Sequence, residues 1–235
     1  MSAPFQAFGS THLTVLALCA VALMFLAGLR RWQPGAAQVA ERVLALMLLM
    51  TWPMATVSHW RLGTLSWDTG LPLHFCDVAG IAGGIALLTR NRLAAEIVYF
   101  FGLAGTLQGL ITPNLAVDFP DARFLVFFVL HGGVVVTALH VVTALKCPPR
   151  AWAVPRMVGL TLGYALVVGG VNAALNSNFA FLCRKPEQAS LMDVLGPWPW
   201  YIGSLVVLCG IFYSVLYAPF FIARRVRAQG EVSEG

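Results

Sequence analysis

Cys76 follows His74 by two residues and immediately precedes Asp77, four positions into an apolar segment that opens at Pro72. A thiolate is a strong nucleophile toward esters when an imidazole stands within hydrogen-bond reach to take its proton. Pro72 suits a first helical turn, whose free N–H groups and positive dipole end favour a thiolate at Cys76, whereas apolar burial opposes it. At about 100° per residue His74 and Cys76 point about 200° apart, while His74 and Asp77 share a face. His74 is therefore a poor base for Cys76, and either pairs with Asp77 or caps the helix. The base must come from another element, and His131 is the candidate.

The elements that position these residues are membrane spans. Of 235 residues 59% are hydrophobic and 11% charged, and mean hydropathy is +0.78, which excludes an ordinary soluble domain. Apolar windows long enough to cross about 30 Å of hydrocarbon lie near residues 13–29, 43–59, 73–88, 94–112, 124–145, 157–175 and 202–222. The expected fold is an all-α bundle of seven transmembrane helices, one domain over residues 1–235, with a polar, disordered tail at 223–235. Residues 1–12 lack Lys and Arg while Arg30 and Arg31 follow the first window. That order is the reverse of a signal peptide, so the window is a retained helix.

Positive charge orients the bundle. Arg30, Arg31, Arg42, Arg90, Arg92, Lys146, Arg150, Arg156, Arg224, Arg225 and Arg227 fall on one side, and Arg61, Arg123, Arg184 and Lys185 on the other. The positive-inside rule then puts the N-terminus outside and the C-terminus in the cytoplasm of a multi-pass cell-membrane protein. The net charge of +5 comes from these connections facing anionic lipid, and no basic run interleaved with aromatics points to nucleic acid.

Buried polar side chains mark function in a bilayer, and here they gather toward the exterior leaflet: His59, His74, Asp77, Gln108, Thr112, Asn114, His131, Asn172, Asn176 and Asn178. Glu96 and His140 belong to the opposite half. With Pro72 and Arg123 as helix ends, Cys76 lies about 6 Å deep and His131 about 12 Å, one turn apart. Gln108, Asn114 or Asn172 could donate to an oxyanion, and Arg184 and Lys185 could hold a lipid phosphate.

The five cysteines show no paired spacing. Cys19 and Cys209 read as buried hydrophobes, and Cys147 faces the reducing side. A disulfide between Cys183 and Cys76 would remove the nucleophile. Gly80, Gly83, Gly84, Gly132 and Gly133 and the pairs Gly105–Gly109 and Gly159–Gly163 read as close helix packing. Trp198, Trp200 and Tyr201 read as an interfacial belt.

Three functions fit these residues. The first is acyl transfer or acyl-ester hydrolysis by Cys76 and His131 on a membrane phospholipid or fatty-acyl lipid, with no cofactor. The second is a metal-dependent lipid hydrolase using His59, His74, Asp77 and His131, although no two histidines stand at i, i+4. The third is a non-enzymatic transporter or small-ligand binding protein, for which no inverted repeat is evident.

The segments Leu71–Cys76 (LPLHFC), Gly102–Asn114 (GLAGTLQGLITPN), His131–Gly132 and above all Asn178–Tyr201 (NFAFLCRKPEQASLMDVLGPWPWY) resemble the YwaF-type bacterial membrane proteins, grouped with the eukaryotic transmembrane protein 164. The resemblance covers about residues 40–220. It implies a polytopic bundle and, for the eukaryotic relative, a lipid acyltransferase with a cysteine nucleophile and a histidine, which fall on Cys76 and His131. The chain is also distantly similar to the androgen-induced class of membrane hydrolases, which use a threonine and a histidine on fatty esters.

Overall fold

Gln33 alone separates the first two helices, and Pro34, whose missing N–H costs nothing at a first turn, starts the second. In a computed structural model of the chain, described for residues 4–186 and 190–233, seven helical segments are long and apolar enough to cross a membrane. They are Ser10–Trp32, Pro34–Arg61, Trp67–Thr89, Arg92–Ile111, Ala122–Thr143, Ala153–Leu175 and Trp200–Gln229. The all-α, seven-span bundle is thus present, and each segment contains or overlaps its expected window.

Two spans are interrupted, and both interruptions face the same cavity. The third consists of α3 (Trp67–Gly70), an extended stretch, and α4 (Phe75–Thr89). Leu71 and His74 have extended backbone, as expected of a residue before Pro72 and of a helix N-cap. The fourth consists of α5 (Arg92–Phe101), a π-helical turn at Gly102–Thr106, and α6 (Leu107–Ile111). The remaining spans are α1 (Ser10–Trp32), α2 (Pro34–Arg61), α7 (Ala122–Thr143), α8 (Ala153–Leu175) and α9 (Trp200–Ser233).

Because α9 continues to Ser233, the stretch expected to be a disordered tail after Ile222 is helical. Its residues Arg224, Arg225 and Arg227 alternate with helix formers, and Arg224 donates to Tyr217 Oη at 2.7 Å and to the carbonyl of Pro149.

The core lies among α2, α4, α5 and α7, which pack extensively on one another, while α8 and α9 pack mainly on each other. Phe75 stacks on Phe101 with ring centroids 4.0 Å apart. A Cβ on Gly105 would stand 2.6 Å from the Phe75 ring, and one on Gly80 2.6 Å from Leu130, so these glycines let the helices approach. Gly159 and Gly163 were expected to do the same, but nothing lies within 4 Å of where their Cβ atoms would be. They lie on the outer face of α8, a helix that packs mainly on α9.

At the end of the bundle away from the N-terminus, two buried carboxylates are matched by cations. Glu41 accepts from His140 Nε2 at 2.9 Å and from Arg90. Glu96 accepts from Arg150 through Nε at 3.0 Å and Nη2 at 2.9 Å, and from Arg156 at 2.8 Å. Arg90, Arg150 and Arg156 are therefore structural ties. Glu41, 1% exposed, joins Glu96 and His140 in that half.

Candidate functional site

His74 is the N-cap of α4, its backbone N–H donating to Asp77 Oδ2 at 3.1 Å in a reciprocal capping box. The pairing expected of His74 and Asp77 is thus a helix start. The His74 ring bonds the carbonyl of Asp68 at 3.2 Å through Nε2 and packs edge-on to Phe179. Cys76 is the second residue of α4, its thiol lying against the N–H groups of Cys76 and Asp77. Tyr164, from α8, donates to the carbonyl of Leu73 at 2.5 Å and sets its ring edge against Phe75, which fixes the turn that presents the thiol.

His131 is 7% exposed on α7 and donates through Nδ1 to the carbonyl of Phe127 at 2.8 Å. A ring nitrogen facing a carbonyl carries the proton, so in the neutral imidazole Nε2 holds a bare lone pair. The ring is stacked on Phe127 and lies over Gly109, where a Cβ would stand 2.8 Å from Cδ2 and 2.9 Å from Nε2. Only glycine leaves room for it.

Cys76 and His131 line one cavity of about 670 Å³, whose lining reaches His59, Asn114 and Arg123 toward the end of the bundle that carries the N-terminus. Because α4 begins at Phe75, Cys76 stands 13 residues, about 20 Å, from the helix end at Thr89, and His131 stands 12 residues, about 18 Å, from Thr143. The extended stretch before Phe75 sets Cys76 deeper than an unbroken helix from Pro72 would. Among the described residues no hydrogen bond joins thiol to imidazole, so a bonded Cys–His pair is not assembled.

The cavity also takes in His74, Asp77, Gln108 and Asn114, all singled out by sequence. Asn172 is elsewhere: its Oδ1 accepts from Phe179 N at 2.8 Å and Ser177 Oγ at 3.0 Å, and its Nδ2 donates to Phe179 O at 3.0 Å. It clamps the loop after α8. Arg184 and Lys185 also lie outside the lining; Lys185 sits over the Tyr201 ring at 5.6 Å. The expected metal set fails as well, because among the described residues no three His, Cys, Asp or Glu side chains converge. His59 is turned to Thr64 Oγ1 at 3.0 Å, and His74 and Asp77 serve the cap. Cys76 and Cys183 are free thiols.

Sequence reasoning missed Asp68, Arg123 and Tyr164. Asp68 Oδ1 accepts from Asn178 N at 2.6 Å, tying the third span to the loop after α8, and all three line the cavity. A tyrosine within an apolar run and a carboxylate in a loop carry no local signal of a shared pocket.

The fold and cavity define a multi-pass membrane protein with a polar-mouthed intramembrane pocket. The chain belongs to the TMEM164 family, whose model matches residues 7–217. It is similar to an uncharacterized protein of Treponema pallidum (strain Nichols), 25% identical over 171 residues that cover 70% of this chain and 68% of the relative. No solved structure matches it.

Proposed function

We propose that this protein transfers or hydrolyses acyl groups of membrane lipids through Cys76 and His131. The observation that carries the reading is the bare Nε2 of His131, fixed by the Nδ1 bond to Phe127, in a cavity that Cys76 also lines. The chemistry needs a side-chain rotation that brings Cys76 Sγ to Nε2, a tightening common on substrate binding. Nε2 takes the thiol proton, and the thiolate attacks the ester carbonyl. The tetrahedral oxyanion is held by the N–H groups of Phe75 and Cys76 in the first turn of α4, with Gln108 as a further donor. Collapse forms a thioester on Cys76, and the departing alkoxide takes the proton back from His131. A lysolipid hydroxyl or water then accepts the acyl group by the same steps in reverse, and no cofactor is required. The charge bias of the connections supports placing the N-terminus and the cavity mouth at the exterior leaflet.

The lack of a thiol–imidazole bond favours a second reading, a non-enzymatic small-ligand binding or transport protein using the same cavity. Labelling the purified protein with a lipid-like ester probe separates the two. Acyl addition on Cys76, abolished in Cys76→Ala and strongly slowed in His131→Ala, is the expected result. Probe retained only non-covalently, and equally by all three proteins, overturns acyl chemistry.

A further inference from the structure

The cavity differs along its length. On one wall Ile202, Leu205, Val206, Cys209 and Phe212 form a single stripe of α9, ten residues or about 15 Å long. At the mouth stand His59, Asp68, Asn114 and Arg123. Arg123 is the only lysine or arginine among the described lining residues. Arg184 and Lys185, the cations that sequence favours for a lipid phosphate, are not among them.

Arg123 is built into its place. Its Nε and Nη2 donate to Asp121 at 3.0 and 2.9 Å, which fixes the plane of the guanidinium, while its Nη1 makes no hydrogen bond among the described residues. Its side chain is 34% exposed. His59 lines the same cavity, with Nδ1 turned to Thr64. The Asn114 amide makes no hydrogen bond among the described residues. A fixed guanidinium edge and an amide are donors suited to phosphate oxygens. Asp68 also lines the cavity, with Oδ1 turned to the Asn178 amide.

We infer that the mouth of the cavity binds the phosphate of a lipid headgroup at Arg123, with the acyl chain lying along the α9 stripe, so that Arg123 selects phosphate-bearing lipids over neutral esters. The inference rests on the lipid reading of this cavity but not on its chemistry, since the selection acts in binding. A charge-assisted bond lost from the site lowers affinity by about ten- to a hundredfold.

The test is native mass spectrometry of the purified full chain in detergent, offered phosphatidylglycerol and diacylglycerol of the same acyl chains. The wild-type protein is expected to retain phosphatidylglycerol over diacylglycerol. Arg123→Gln should lower that ratio by about tenfold or more, Arg123→Lys should restore most of it, and Lys185→Gln should leave it at the wild-type value. Inorganic phosphate as competitor distinguishes the two sources of the group: it should displace phosphatidylglycerol only weakly if the acyl chain shares in binding. Complete displacement by inorganic phosphate overturns the lipid assignment. A ratio unchanged by Arg123→Gln, or lowered instead by Lys185→Gln, overturns the role of Arg123. Selective retention without acylation of Cys76 leaves this inference standing while the acyl reaction falls.

Discussion

The imidazole of His131 rests on the backbone of Gly109, close enough that a Cβ there would come within 2.9 Å of Nε2. A methyl group at that position does not fit without displacing the ring. Gly109→Ala should therefore slow acyl labelling of Cys76 by more than tenfold, approaching the loss seen with His131→Ala. Its melting temperature in detergent should fall by only a few degrees, as expected for overpacking of about 1–3 kcal/mol. Full labelling with a normal rate would show that the ring position does not matter.

Tyr164→Phe removes the hydrogen bond to Leu73 O and leaves the ring against Phe75. The expected cost is about 1 kcal/mol of stability, with a larger effect on the rate at which Cys76 reacts, because the turn that presents it loses its tie to α8. Comparing the thiol labelling rate with thermal stability checks this. Equal and small changes in both would make Tyr164 a packing residue only.

Asn172→Ala releases three hydrogen bonds within the loop after α8. At about 1 kcal/mol each, the loop should open locally. Proteolysis between residues 176 and 199 should accelerate in membranes, while the end of the bundle that carries Glu41 stays protected. Unchanged cleavage would place the stability of that loop elsewhere.

Glu41→Leu leaves His140 facing a hydrocarbon side chain and takes the carboxylate from Arg90. Removing one partner of a buried pair costs about 3–5 kcal/mol. Expression and melting temperature should drop sharply, whereas the double change Glu41→Leu, His140→Leu should recover part of the loss. A double variant no better than the single one would argue against direct coupling.

The seven spans were legible because about 20 apolar residues in a row admit few other structures, and the shared cavity of Cys76 and His131 followed from where polar groups cluster. What sequence hid has physical causes. The break at Leu71–His74 depends on tertiary ties from Tyr164 and Asn178 that lie about a hundred residues away, so the depth of Cys76 could not be read locally. Asn172 looked like a ligand because an amide in a span signals function equally when it clamps a loop. Arg184 and Lys185 carry the right charge but sit outside the cavity lining. Gly159 and Gly163 have the spacing of a packing motif, yet spacing does not say whether another helix is there to receive it.

The π-helical turn at Gly102–Thr106 carries a constraint on how this chain can vary. Such a turn holds one residue more than an α-helix over the same distance. Deleting a single residue there lets the turn revert to α-helix and leaves Gln108 and Gly109 facing His131, whereas inserting one would re-phase everything downstream by about 100°. A one-residue deletion in this short stretch should therefore be tolerated better than a one-residue insertion, a rule of length rather than of chemistry.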